Sequence, residues 1–169
     1  MSLLPTEYDE QCILHKWLKF KRIDHFATTN ENNTYKQNKK YAMLAEVKAK
    51  ASGKLKGVSD LEIFIKEFTL YLELKRQPSI TKTGKISYKD ITTSESQINF
   101  LEMVNKYKYK IGFVAYGAEE AINIIEKLMK LDSIDDKKEV YNKICKGIYL
   151  NCRDKGKKFI KYKERKCIR

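Results

Sequence analysis

The stretch Phe68-Thr69-Leu70-Tyr71-Leu72-Glu73-Leu74-Lys75 alternates between two classes of side chain without a break. Successive side chains of a strand point to opposite faces, so this alternation predicts a half-buried strand. Phe68, Leu70, Leu72 and Leu74 then share the core face, while Tyr71, Glu73 and Lys75 share the other. Leu61-Glu62-Ile63-Phe64-Ile65 reads as a second strand, separated from the first only by Lys66-Glu67. A two-residue turn makes the pair an antiparallel hairpin and fixes its register. Residues equidistant from the turn then oppose one another, Ile65 against Phe68 and Asp60 against Glu73. The turn carries neither the Gly nor the Asn that tight hairpins favour. A three-residue loop would slip the register by one and set Asp60 against an apolar residue.

Directly opposed residues have Cβ atoms roughly 4.5–5.5 Å apart. Two carboxylates at that spacing repel unless something positive lies between them. A hard divalent cation suits such a pair, because Mg²⁺ prefers carboxylate oxygen and keeps several waters. Lys75 lies on the same face, where it can hold an attacking water or offset charge in a phosphorane-like transition state. Asp60, Glu73 and Lys75 therefore point to metal-dependent phosphodiester hydrolysis. The competing reading is a surface strand with a local ion pair, an arrangement that is common and contributes little.

The chain of 169 residues is long enough for one domain with a proper core. Its hydrophobic content of 42% is that of a folded protein. No apolar run approaches the roughly 20 residues of a membrane span. The opening Met1-Ser2-Leu3-Leu4-Pro5-Thr6-Glu7 lacks a basic region and a long apolar one, so a cytoplasmic protein is expected. The net charge of +13 and a pI near 9.5 suggest a polyanionic partner, most simply nucleic acid. Basic residues concentrate from Arg153 to Arg169, and in Lys48, Lys50, Lys54 and Lys56 just before Asp60. Both clusters are candidates for phosphate contacts, against the alternative of solvated, solubilising lysines. Cys12, Cys145, Cys152 and Cys167 form no C-x-x-C pair, so a zinc ribbon or finger is not expected. His15 and His25, the two histidines, read as solvated and packed residues respectively. The 11 tyrosines suit base stacking, but half-buried packing accounts for them as well.

Along the chain, Thr6 to Lys19 reads as a first helix with Ile13, Leu14, Trp17 and Leu18 as its apolar stripe. A short strand is expected from Ile23 to Thr29, and a helix from Lys39 to Ala51. The polar stretch from Arg76 to Thr93 reads as a long irregular loop. Ser94 opens a helix to about Tyr107, and Ser94-x-x-Gln97 has the form of a capping box. Ile111 to Tyr116 is a buried strand ended by Gly117, Ala118 to Leu131 a helix, and Lys137 to Leu150 a further helix. The expected fold is a mixed α/β domain, helices around a central sheet. Residues 1–131 form the domain, and 132–169 a helical, strongly basic extension.

Glu10-Gln11 on the first helix, Gly57-Val58-Ser59-Asp60, Glu73-Leu74-Lys75 and Ser94-x-x-Gln97 occur in the order of the VRR-NUC domain. The chain resembles this virus-type replication-repair branch of the PD-(D/E)XK nuclease superfamily from about Thr6 to Leu131. Thr6 to Cys12, continuing through Trp17-Leu18, looks like the opening of phage and prophage members. Ser59 stands where the family often has Pro, and the insert between Lys75 and Ser94 is longer than in compact members. The resemblance implies a restriction-endonuclease-like core with the metal site on its central hairpin. It implies Mg²⁺- or Mn²⁺-dependent DNA cleavage in replication, repair or recombination. Asp60 and Glu73 would bind the metal, and Lys75 would be the catalytic lysine. Glu10 would complete the metal shell, with Glu7 one turn earlier as its rival. Gln97 would face the site. Stand-alone members resemble two-fold junction resolvases, which implies a homodimer. No base-reading motif is apparent, so structure-selective cleavage of branched, flapped or junction DNA is expected. The alternatives are a non-catalytic DNA-binding module of the same fold and a sequence-specific restriction-type endonuclease.

Overall fold

The computed structural model describes residues 4–28, 57–80 and 91–131 throughout. It also describes short pieces at 43, 47–48, 51–53, 55, 83–84 and 86–87, and the backbone of 150–154 and 157–161. Lys50, Lys54 and Lys56 lie outside the described residues, as do Cys145, Cys167 and all of the helix expected from Lys137 to Leu150 except Leu150, which begins a strand instead. No helix among the described residues is long and apolar enough to cross a membrane.

Helix α1 runs from Glu7 to Phe20. It starts there because Thr6 caps it, accepting from Asp9 N at 3.2 Å while the Asp9 carboxylate accepts from Thr6 N at 2.9 Å. Its buried stripe is Glu10, Leu14 and Leu18, with Trp17 partly covered. Ile13, expected in that stripe, is 48% exposed, because a period of 3.6 turns it to the edge of the face that Leu14 and Leu18 bury.

The hairpin forms as its alternation requires. Strand β2 (Leu61–Ile65) pairs antiparallel with β3 (Phe68–Lys75), Ile65 opposite Phe68 and Leu61 opposite Leu72. The two-residue turn is thus real. Lys66 takes φ +50°, the left-handed region that Gly usually supplies. Strand β1 (His25–Ala27) flanks β2 antiparallel, shorter than the seven residues expected because only its middle reaches the ladder. Strand β6 (Lys110–Tyr116) pairs parallel with β3, giving a mixed sheet of order β1-β2-β3-β6. Within the stretch expected to be an irregular loop, Ser79–Ile80 (β4) and Ile86–Ser87 (β5) form a small hairpin. In the basic extension, Leu150–Asp154 (β7) and Lys157–Lys161 (β8) pair antiparallel as a separate hairpin.

Helices cover both faces of the sheet. α1 and α3 (Ala118–Met129) pack on Leu61, Ile63, Leu70, Leu72, Leu74, Phe113 and Ala115. α2 (Glu95–Val104) covers the opposite face, burying Tyr71, Val114 and Tyr116 against Leu101, Val104 and Ile91. Strand β3 is therefore not half-buried: Glu73 is 0% exposed and Lys75 8%. The alternation marked two faces correctly, but both are dry, because α2 lies over the one expected to meet solvent. That burial sets the electrostatics of the site.

Candidate functional site

Parallel strands β3 and β6 end together, with Lys75 beside Tyr116, and the candidate residues gather at that end. Asp60 stands one residue before β2, where the ladder to β3 stops. Its side chain continues the pairing in place of backbone, with Oδ2 accepting from Leu74 N at 2.9 Å. Glu73 and Lys75, two residues apart on one face, meet directly, Lys75 Nζ lying 2.5 Å from Glu73 Oε1. Gln97 Nε2 donates to the same oxygen. Gln97 performs both tasks open to it at once. Its Oε1 accepts from Ser94 N at 2.8 Å and caps α2, and its amide nitrogen reaches the carboxylate.

The loop carrying Asp60 is held from two sides. Gly57 has φ +78°, and a Cβ there would lie 2.5 Å from Gln97 N, so only glycine lets the loop lie against the first turn of α2. Thr28 donates its hydroxyl to Ser59 O and its amide to Asp60 O, the latter at 2.9 Å. Ser59, at the position where proline was the alternative, is fully buried. No pattern in the sequence marks Thr28, because its role comes from a contact 31 residues away.

Burial dominates the charges here. Desolvation and the neighbouring Asp60 push the Glu73 carboxyl up to about 8, although Lys75 opposes the shift. Burial also raises Asp60, against the pull of Lys75 and the Leu74 amide. The two carboxyls are close enough that a proton on Glu73 stabilises the Asp60 anion. Burial works against the Lys75 ammonium, but Glu73, Glu7 and Asp60 together outweigh it and leave its pKa raised. Both carboxyls are therefore held above their ordinary pKa, beside an ammonium held above its own.

A divalent cation fits this arrangement. Glu73 Oε1 has two donors, whereas Glu73 Oε2 is buried with no hydrogen-bond partner. A buried carboxylate oxygen without a partner is a costly feature unless a cation or proton satisfies it. Among the described residues no three His, Cys, Asp or Glu side chains form a closed cage. A two-carboxylate donor set suits Mg²⁺, which leaves much of its shell to water and phosphate oxygens.

Helix α1 supplies two carboxylates with different surroundings. Glu10 is 1% exposed and its Oε2 accepts from Ala118 N at 2.7 Å. Gly117, the N-cap of α3, has no side chain to do this, so Glu10 caps that helix from across the core. Its Oε1 is buried and unpartnered. Glu7, exposed one turn earlier, is the α1 carboxylate whose charge acts on both Glu73 and Lys75. Of the lysines considered for phosphate contacts, Lys48 is described and is exposed.

A solved structure titled "VRR_NUC domain protein" matches with a TM-score of 0.52 at 21% sequence identity, covering 79% of this chain and 93% of that one. At that identity the likeness is one of fold, and it bears out the expected α/β core with a mixed central sheet flanked by helices. No family model matches the sequence, and neither does any curated protein.

Proposed function

We propose that the chain is a metal-dependent deoxyribonuclease that hydrolyses phosphodiester bonds at Asp60, Glu73 and Lys75. The observation that carries this reading is the convergence of two carboxyls and one ammonium at a buried strand end, with Glu73 Oε2 unpartnered. A structural ion pair needs no second carboxyl with its pKa raised and no orphaned oxygen. Asp60 and Glu73 would hold Mg²⁺ or Mn²⁺. When bound, the cation lowers the pKa of a water and neutralises charge developing on phosphate.

The remaining work falls to the chain. Gln97 and Lys75 both bind Glu73 Oε1 and hold the carboxylate in place, leaving Oε2 for the cation. Lys75 stays protonated and stabilises negative charge gathering on the phosphoryl oxygens. Asp60 is aimed by the Leu74 amide. Glu10, with its buried and unpartnered Oε1 at the head of α3, would complete the acidic side of the site, with Glu7, whose charge acts on Glu73 and Lys75, as its rival. Lys48, with Lys50, Lys54, Lys56 and the basic extension, supplies contacts to phosphates irrespective of sequence, so binding weakens steeply with salt.

The test is a cleavage assay over duplex, single-stranded, flap and four-way DNA, with Mg²⁺, Mn²⁺ or chelator. Cleavage of branched substrates that requires the metal supports the proposal. A protein inert with both metals that still binds DNA is a binding module. Cutting of linear duplex at one defined sequence makes it a restriction-type enzyme.

A further inference from the structure

The sheet face that carries the site extends beyond the cover of α2. Glu62 opposes both Tyr71 and Phe26, so Phe26, Glu62, Phe64 and Tyr71 lie on the same face as Glu73 and Lys75. Tyr71 is covered by Phe100 of α2, their ring centroids 5.7 Å apart. Among the described residues no helix covers Phe26 and Phe64. They are 48% and 42% exposed, and their rings meet in a tilted contact with centroids 5.9 Å apart and an interplanar angle of 38°. Two exposed phenylalanines on a dry-faced sheet are costly in water, and elsewhere on the same face the aromatic ring is buried.

We infer that Phe26 and Phe64 form a stacking platform for unpaired bases of the DNA strand whose phosphate enters the site. The inference rests on the nuclease reading for its substrate. Distance supports it. Phe64 is four residues from Asp60, about 13 Å along the strand, and Phe26 lies on the neighbouring strand opposite Glu62, about 8 Å from Asp60 in the sheet plane. Both rings thus lie within a few nucleotides of a phosphate held at Asp60. Charge supports it as well. Lys66 is exposed at the hairpin turn next to Phe64, Lys110 borders Thr69 on the same sheet, and the chain carries a net +13. Two carboxylates lie beside the rings, Glu62, engaged by the Tyr71 hydroxyl, and the exposed Asp24, whose carbonyl accepts from Phe64 N at 2.9 Å. A ring face accepts any base but only when that base is out of a duplex, so the platform favours single-stranded or flapped DNA over intact duplex.

The test uses the full chain in chelator, where no cleavage occurs. Phe26→Leu/Phe64→Leu keeps apolar bulk and removes the rings, and thermal unfolding of the variant checks that it folds. Aromatic stacking accounts for roughly 5- to 150-fold in affinity per base. The expected result is a loss of about tenfold or more in affinity for flap DNA with duplex affinity unchanged. Wild-type protein photocrosslinked to a flap bearing 5-iododeoxyuridine should also label Phe26 or Phe64. Equal flap affinity with no crosslink to either ring overturns the inference. So does a variant that turns a dimer into a monomer while flap binding is unaltered, which would make the platform a contact between copies of the chain. A variant that does not fold is replaced by Phe64→Leu alone, read by the same crosslink. Because binding is measured without metal, failure of cleavage and failure of stacking are separate outcomes.

Discussion

Glu10 reaches across 108 residues of sequence to accept a hydrogen bond from Ala118 N at 2.7 Å. The bond ties α1 to the start of α3, and the adjoining Gly117 N donates to Lys75 O at 2.8 Å. A buried carboxylate thus anchors the backbone that ends next to Lys75. Replacing Glu10 with Ala leaves the Ala118 amide unsatisfied and opens a void. It should lower stability by about 2–4 kcal/mol in urea unfolding. Glu10→Gln, which keeps an acceptor oxygen, should lose less and retain measurable cleavage.

Glu7 gives the opposite profile. It is exposed, yet its charge acts on Glu73 and Lys75. Glu7→Gln should change stability by no more than about 0.5 kcal/mol. Its cleavage rate should fall roughly tenfold or more, in the range one charged group contributes to transition-state stabilisation. Rates measured on both variants at matched protein stability separate the two carboxylates. Equal activity of Glu7→Gln and wild type would remove Glu7 from the site.

Stability in the absence of divalent metal should depend on Glu73. Its folded pKa of about 8 lies above the ordinary 4.5, so the folded chain keeps a proton that the unfolded chain has released. The stabilisation is complete below about 4.5 and is lost as pH rises through about 8. Wild-type unfolding free energy should therefore fall between roughly pH 5 and 8, by up to about 1.4 kcal/mol per unit. Glu73→Gln, neutral throughout, should show a much flatter slope. Urea titrations at several pH values in chelator check this. Added Mg²⁺ should reduce the wild-type slope, because the cation takes over the role of the proton.

Gly57 and Gly53 separate close approach from backbone strain. Both have positive φ, but a Cβ on Gly53 meets nothing within 4 Å, while one on Gly57 collides with Ser96 and Gln97. Gly53→Ala should cost about 1 kcal/mol through strain alone. Gly57→Ala should cost about 2 kcal/mol or more and also depress cleavage, because it displaces the turn that aims Gln97 at Glu73. Paired unfolding and activity measurements on the two variants decide it.

The hairpin and its register were legible because strand alternation has a period of two and the turn between Ile65 and Phe68 has only two residues. Register then set Asp60 beside the end of β3. The double burial of β3 was not legible, because a Tyr-Glu-Lys face looks wet in sequence and nothing local shows that α2 will cover it. Gln97 was visible both as a capping residue and as a site residue, since the two demands fall on different ends of one amide. Which of Glu7 and Glu10 is buried was hidden for a different reason. Both sit in the first turn of one amphipathic helix, and only the long-range contact with Ala118 tells which one is turned inward. Thr28 carried no signal at all, since a lone threonine after a short strand is indistinguishable from a solvent-exposed one.

The most direct test compares wild type with Asp60→Asn, Glu73→Gln and Lys75→Ala on a labelled branched DNA, with Mn²⁺ present or withheld. Each variant should bind that DNA in chelator about as well as wild type and cleave it at least 100-fold more slowly, and wild-type cleavage should vanish when the metal is withheld. Undiminished cleavage by Glu73→Gln, or wild-type cleavage indifferent to metal, would contradict the assignment of Asp60, Glu73 and Lys75 as the hydrolytic centre.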